Sequence, residues 1–332
     1  MKIMIIGGTR NVGHFLTLDL LRGGHKVTVF NRGKTPDELP TSTERLHGDR
    51  SDPISLTKAL TGRSFDVVID MALYNRPDAE AAIKLLEGRV GQYVFISSGQ
   101  IYLVHQETER PFHEDSLQKP VMPAPPANTR DYEEWLYGVE KSQAEEILLH
   151  TWQDRGFPIT ILRLPMVNSE RDHFHRVYNY FLQLQDGGPI LLPQGKHLQL
   201  RHVYSADVLQ AIQKAIQTDV AKGKIYNVSQ DETISIEDFL TLLAKIAGYK
   251  LQLAYLPREI LDELHLLPDC SPFSDPWMSE LDNQRSKAEL GMQYTALPTC
   301  LRKLVEYFGS HPLPLPDGYR RRSEEIRLAQ EI

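Results

Sequence analysis

Cysteine is nearly absent: Cys270 and Cys300 are the two thiols in 332 residues. They show no metal-like spacing, so neither a disulfide framework nor a thiolate metal site is read, and a reducing cytoplasm is the expected compartment. Long apolar runs are missing too. None approaches the roughly 20 residues that a membrane helix requires, so no membrane association is expected. An apolar run already begins at Ile3, and no signal peptide is read ahead of it. Positive charge is not in excess. A formal net charge of -7 argues against non-specific binding to phosphate backbones as the main task, and nucleic acid is not an expected partner. Internal repeats are lacking as well. What remains, 41% hydrophobic and 24% charged residues, is a globular composition, and the length suffices for two lobes.

The rest of the chain is organised around its first stretch, Met1 to Gly13. Ile3, Met4, Ile5 and Ile6 form the short, β-branched apolar run that a strand buried on both faces of a parallel sheet needs. Gly7 and Gly8 allow a tight turn. From Asn11 the period changes, because Val12, Phe15, Leu16 and Leu20 share one helical face. Strand, glycine turn and helix start together make an anion site, since free N–H groups and the helix dipole point at the turn. The guest this pattern predicts is a dinucleotide pyrophosphate.

Strands and helices then alternate, which predicts a parallel sheet covered on both faces. Strands are read at Lys26–Phe30, Arg45–His47, Phe65–Asp70, Gln92–Ile96 and Pro158–Arg163, and a returning one at Lys224–Val228. Helices are read at Pro53–Leu60, Asp78–Leu86 and Asp131–Trp152. Lys119–Pro126 holds four prolines in eight residues and reads as an extended loop. Ser235 opens a further helix with an acidic third residue. After Lys250 the apolar pieces are short, and Tyr319–Arg327 is charged, which predicts an exposed terminal helix.

Tyr137 and Lys141 stand four apart on the long helix, so they share a face. A phenol with its ordinary pKa of about 10 is a poor proton acceptor near neutrality. A neighbouring ammonium and a cationic nicotinamide ring would both favour the phenolate. Ser98 lies where the fifth strand ends, on the side where open α/β sheets bind ligands. His173 and His175 flank Phe174 without an acidic or cysteine partner nearby, so no metal site is read. Trp135 reads as packing. Arg163, Arg176 and Arg201 either reach a substrate diphosphate or pair with carboxylates.

Gly7-Gly-Thr-Arg-Asn-Val-Gly13, Gly48-Asp49-Arg50, Phe95-Ile-Ser-Ser-Gly-Gln-Ile-Tyr102 and Tyr137-Gly-Val-Glu-Lys141 resemble the ordered motifs of the extended short-chain dehydrogenases/reductases, the NAD-dependent epimerase/dehydratase family. Leu162-Arg-Leu-Pro165 and Tyr226-Asn-Val228 extend the resemblance over about the first 230 residues. The wording Gly-Gly-Thr-Arg is similar to an atypical branch that includes the chloroplast stem-loop-binding proteins. The resemblance implies an α/β fold: a Rossmann-type doubly wound parallel sheet with a smaller C-terminal substrate lobe. The Rossmann domain would span 1–165, with a return segment at about 200–230. The substrate lobe would span 166–199 and 231–316, and 317–332 would form a charged tail. Ser98, Tyr137 and Lys141 would be the catalytic set. Around the cofactor would lie Gly7, Gly8, Thr9, Arg10, Asn11, Val12, Gly13, Asn31, Arg32, Asp49, Arg50, Met71, Ala72, Leu73, Ser97, Leu164 and Pro165, with Tyr137 and Lys141. Asp49 and Arg50 would border the adenine.

Several positions depart from the family pattern. Arg10 replaces the middle glycine, Leu103 a glycine, and Asp70 a histidine. Gly99 and Gln100 replace the Asp-Glu pair of the sugar dehydratases, which argues against a 4,6-dehydratase. At the end of the second strand stands Asn31, not the carboxylate that favours NAD, with Arg32, Arg10 and Lys34 nearby. Guanidinium groups suit a 2′-phosphate, so NADP is favoured over NAD. The expected activity is an NAD(P)-dependent oxidoreductase or epimerase acting on a hydroxyl/ketone centre, with a nucleotide sugar as the small-molecule substrate. A homodimer stays open. The alternatives are an RNA stem-loop-binding protein, for which the Arg320–Arg322 cluster speaks, and a cofactor-sensing regulator on the same fold.

Overall fold

The computed structural model describes residues 1–106, 108–117, 119–311 and 313–331. In chain order its first elements are β1 (Lys2–Ile6), α1 (Asn11–Arg22), β2 (Lys26–Asn31), β3 (Glu44–His47), α2 (Pro53–Leu60), β4 (Phe65–Asp70) and α3 (Arg76–Leu86). They are followed by β5 (Val90–Ser98), α4 (Gln100–Leu103), α5 (Arg130–Arg155), β6 (Ile159–Leu164), β7 (Val167–Asn168), α6 (Arg176–Asp186) and β8 (Ile190–Pro193). Next come β9 (Val203–Tyr204), α7 (Ser205–Ile216), β10 (Lys224–Asn227), α8 (Ile236–Ala247) and β11 (Leu253–Leu256). The chain closes with α9 (Arg258–Glu263), α10 (Gln284–Leu290), α11 (Leu297–Ser310) and α12 (Arg322–Gln330).

These elements form two compact units. One comprises Met1–Pro165, Ser205–Ser229 and Leu281–Gln293; the other comprises Met166–Tyr204, Gln230–Glu280 and Tyr294–Ile332. The segment 281–293, read from sequence as part of the second lobe, belongs to the first unit. Leu281 is buried with Ile101, Tyr102 and Phe112, and the Asp282 N–H donates to the Phe112 carbonyl at 2.9 Å. Leu281, Leu290 and Met292 are its buried apolar side chains, and their spacing makes no period from which this could be read.

The first unit is built on one seven-stranded sheet in the order β10-β6-β5-β4-β1-β2-β3, every pair parallel. The order reverses between β1 and β4, which makes their C-terminal ends the switch point at which such sheets bind ligands. Met4, Ile6, Val68, Tyr93 and Phe95 face a core shared with α2, α3 and α5. Both faces of β1 are buried, which is why its sequence is a continuous apolar run and not an alternating one. Side chains close the starts of three helices: Asp52 on α2, Asn75 on α3 and Thr129 on α5 each accept from a first-turn N–H. Helix α1 carries no such cap and no acidic residue in its first turn. Its N-terminal donors stay open.

The proline-rich stretch runs extended, and Trp135 on α5 pins it by donating Nε1–H to the Met122 carbonyl at 3.1 Å. In the second unit α6, α8 and α11 pack around one apolar core, while β7 pairs with β9 and β8 with β11, both parallel. The charged C-terminal segment is not a free tail. Arg322 and Glu325 are buried, and Arg322 grips Asp186 at 2.7 Å. Arg321 pairs with Glu324 at 2.8 Å and Arg320 with Asp317 at 3.0 Å. Leu328 and Ala329 pack onto the cluster around Leu261, so an apolar edge too short to stand out in the sequence holds α12 down. Ile332 lies outside the described residues. Among the described residues no helix is long and apolar enough to cross a membrane.

Candidate active site

The residues that the sequence marks for cofactor and chemistry fall on one rim of the first unit. Gly7 follows β1, Asn31 ends β2, Asp49 follows β3, Met71 follows β4, Ser98 ends β5 and Leu164 ends β6. Parallel strands all point their C-terminal ends the same way, so residues far apart in sequence arrive together.

The glycine turn is shaped for close approach. Gly7 and Gly8 have φ of 103° and 72°, a region that side-chain-bearing residues avoid. A Cβ on Gly13 would lie 2.6 Å from the Gly8 Cα, so only glycine lets α1 start this near the turn. Thr17 ties the two together, its hydroxyl within 2.9 Å of the Gly8 carbonyl and 2.7 Å of the Gly13 carbonyl. Arg10 has ordinary extended backbone, φ -126°, which is why the family's middle glycine is dispensable there. Thr9 and Asn11 are half-buried and Val12 is buried. The buried Asn11 Oδ1 and Ser97 Oγ have no hydrogen-bond partner. An uncapped helix start and a cradle that a Cβ would fill fit a pyrophosphate-bearing ligand.

Around the second strand, the Asn31 Oδ1 accepts from the Gly33 N–H at 2.8 Å, closing the turn that exposes Arg32. Arg10 donates to the Thr35 hydroxyl at 2.6 Å. Asp49 is exposed, and its carboxylate accepts from the Ser51 N–H at 3.0 Å. Two predicted contacts are turned elsewhere. Leu73 is fully buried in the core. Arg50, expected at the adenine, directs its guanidinium inward, 3.0 Å from Asp70 and 3.7 Å from Asp78.

The reason is Asp70, which takes the place of the family's histidine. It is 0% exposed, and a buried carboxylate demands partners. Besides Arg50 it accepts from the Tyr93 hydroxyl at 2.6 Å and from the Ala72 N–H at 2.9 Å. Burial and this carboxylate push the Tyr93 phenol well up. The Met71 N–H donates to the Ile6 carbonyl at 2.9 Å, and Met71 sits against Gly7. Sequence reading missed this triad of Asp70, Arg50 and Tyr93; the unusual Asp at the end of β4 was the signal.

On α5, Tyr137 and Lys141 share one face, as their spacing requires. The Ser98 hydroxyl stands beside the Tyr137 phenol. Burial pushes that phenol up to about 12, and the Ser98 hydroxyl opposes the rise. In the protein alone the group pulling the phenol down is therefore Ser98, not the ammonium that the sequence suggested. Lys141 is 2% exposed, donates to the Ile96 carbonyl at 3.1 Å and lies 5.7 Å from the Tyr137 ring centroid. Burial lowers its pKa to about 8, against the pull of Asp70 and Glu145. Tyr74 completes the group. It is 48% exposed, its ring 6.3 Å from that of Tyr137 and 5.1 Å from the Lys141 ammonium. Leu164 pairs with Ser98 across the β5–β6 ladder, its carbonyl accepting from the Gly99 N–H at 2.7 Å, and Pro165 after it is buried.

The lowered pKa of Lys141 carries a stability prediction. Its proton is held more weakly folded than unfolded, so burial of the charge opposes folding fully below about pH 8, and that opposition fades as pH rises toward the unfolded value. Lys141→Met is expected to stabilise the protein at pH 7 by on the order of 2–3 kcal/mol, the gain vanishing near pH 10. Urea unfolding of both proteins at pH 7 and pH 10 checks it, and a variant that is less stable at pH 7 contradicts it.

The three arginines left open by the sequence are all engaged. Arg163 is buried and bonds Glu145 at 2.6 Å, Arg176 bonds Asp172 at 2.8 Å, and Arg201 donates to the Gln230 carbonyl at 3.0 Å. Among the described residues no group of three His, Cys, Asp or Glu could hold a metal ion.

The chain is similar to the chloroplast stem-loop binding protein of 41 kDa b of Arabidopsis thaliana, 28% identical over 265 residues, covering 75% of this chain and 64% of that one. It is similar also to the 2'-dehydrokanamycin reductase of Streptomyces kanamyceticus, 26% identical over 167 residues, 50% of this chain and 43% of that one. It thus spans less than two thirds of the length of either relative. Among solved structures, the UDP-glucose 4-epimerase of Thermus thermophilus in complex with NAD superposes with a TM-score of 0.70, at 21% identity, over 94% of this chain and 100% of that one. Residues 3–229 match the NAD dependent epimerase/dehydratase family, and the chain belongs to that family.

Proposed function

We propose that the protein is an NAD(P)-dependent epimerase or reductase acting on a hydroxyl/ketone centre, with a nucleotide sugar as substrate. The observation that carries the reading is the grouping of Ser98, Tyr137 and a buried Lys141, 5.7 Å from the Tyr137 ring, on the same rim as the glycine cradle. On reduction Tyr137 gives its proton to the substrate oxygen, and the phenolate left behind takes the hydroxyl proton back as the ketone forms. Ser98 donates to the same oxygen. Lys141, cationic below about pH 8, would hold the nicotinamide ribose. A bound nicotinamide supplies the hydride acceptor and donor at its C4. Gly7 to Gly13 and the open start of α1 would hold the pyrophosphate. The substrate class is supported by the UDP-sugar epimerase among the structural relatives. The acidic charge and the pairing of Arg320, Arg321 and Arg322 with carboxylates weaken the RNA-binding alternative. Incubation with NAD or NADP and a panel of nucleotide sugars, read by absorbance of reduced cofactor and by sugar analysis, tests the reading. No turnover and no cofactor binding across the panel would defeat it.

NADP is the favoured cofactor. No carboxylate ends β2, the Asn31 Oδ1 is already used by its own turn, and Arg32 is exposed at that position with Arg10 near. A charge-assisted contact is worth roughly 1.5–3 kcal/mol, part of which desolvation and ordering consume. A net of about 1.4 kcal/mol makes NADP tenfold tighter than NAD. Calorimetric titration should show at least that ratio, and Arg32→Ala should erase most of it while leaving NAD affinity nearly unchanged. Equal affinities in the parent protein would assign these arginines to solvent or substrate.

A further inference from the structure

We propose that Gln100 and Gly138 are positioning residues that lock the Ser98 hydroxyl onto the Tyr137 phenol. The inference rests on reading those two groups as the proton-handling pair.

Ser98 ends a strand and Tyr137 sits on a helix that begins more than thirty residues later, so something must set the distance between them. Two contacts do. The Gln100 side chain is 7% exposed and donates Nε2–H to the Glu134 carboxylate at 3.1 Å and to the Glu134 carbonyl at 3.3 Å. Glu134 lies one helical turn before Tyr137, so the amide ties the turn after β5 to the phenol-bearing stretch of α5.

Gly138 sets how near the two can come. A Cβ there would lie 2.8 Å from the Gln100 carbonyl oxygen and 2.6 Å from Val104 Cγ1. Its backbone is ordinary helix, so conformation does not call for glycine. In a helix interior glycine is a poor choice, about 0.5–1 kcal/mol worse than alanine. The close approach to α4 is what it permits.

Gln100 also sets direction. Its backbone N–H donates to the Ser98 Oγ at 3.1 Å. A hydroxyl whose lone pair is engaged in this way has its own proton left to give. The group it stands beside is Tyr137, whose phenol Ser98 holds down against burial, as a donor to the phenolate must.

The test needs no substrate. The full chain is prepared with tyrosine isotope-labelled at Cζ, and the Tyr137 resonance is identified from its absence in Tyr137→Phe. Ser98→Ala defines its position without the serine bond. Gln100→Met keeps side-chain length and removes the donor; it should move the resonance at least about half of the way to the Ser98→Ala position. In a Ser98→Ala background the same substitution should add nothing, which is the coupling expected of a residue acting through Ser98. Gly138→Ala should move the resonance in the same direction, and if that variant does not fold, Gln100→Met and Gln100→Ala decide. An unmoved resonance in the Gln100 variants, or an equal added shift in the Ser98→Ala background, overturns the proposal. A resonance that Ser98→Ala leaves in place removes the pairing beneath it as well. Failure of the redox reading would show instead as absent turnover with these shifts intact.

Discussion

Tyr137→Phe protein should fold normally and lose turnover on the order of 10²-fold or more, the usual contribution of a positioned acid/base. The substitution removes one oxygen. Its ring neighbours, Tyr74 at 6.3 Å and the Lys141 ammonium at 5.7 Å, keep their surface to pack against. Burial pushes the phenol up to about 12, so the resting protein holds it protonated, with one proton to give and, once given, a strong base to take it back. Phenylalanine can do neither. Cofactor binding should survive, because the cradle at Gly7–Gly13 does not involve the phenol. Steady-state rates on the substrate identified from the panel, beside calorimetric cofactor titration, settle it. Turnover equal to the parent would take Tyr137 out of the chemistry.

Asp70→Ala should cost the protein about 3–5 kcal/mol, the range seen when one partner of a buried ion pair is removed. Asp70 is fully buried and holds three donors at once: the Arg50 guanidinium, the Tyr93 hydroxyl and the Ala72 N–H. Deleting it leaves a guanidinium with only Asp78, 3.7 Å away, as its counterion, and strands a buried phenol. Asp70→Leu combined with Arg50→Met removes both charges of the pair and should lose less than Asp70→Ala alone, since no guanidinium is left buried beside a missing carboxylate, and Asp78 keeps the Ser51 hydroxyl at 3.3 Å as a donor. Urea midpoints with their slopes measure both, and Asp70→Ala within about 1 kcal/mol of the parent would contradict the account. The loss should extend to cofactor affinity. The Asp70 carboxylate fixes the turn through Ala72, and Met71 in that turn sits against Gly7.

Some of this protein was decided by the sequence alone. The run Ile3–Ile6, the glycines after it and the period change at Asn11 specify strand, turn and helix locally, because burial on both faces, positive φ and helical spacing are properties of adjacent residues. The same holds for Tyr137 and Lys141, whose common face follows from four residues of helix. Arg10 at the family's glycine and Asp70 at its histidine were visible as departures, but what they do was not. That Arg50 turns inward depends on Asp70, twenty residues on, and on Tyr93 beyond it; neighbouring strands β4 and β5 bring those two together, and the segment from β3 to α2 brings Arg50 to them. The segment 281–293 carries Leu281, Leu290 and Met292 into the first unit, and α12 docks through Leu328, Ala329 and the Arg322–Asp186 pair, too few apolar positions in either to make a period. The link from Gln100 to Glu134 spans 34 positions, and Gly138 reads as a weak helix residue until the carbonyl 2.8 Å from its missing Cβ is seen. Local chemistry chooses the elements. The distance from Ser98 to Tyr137, on which the proposed chemistry turns, belongs to the packing of α4 against α5, and only the folded chain sets it.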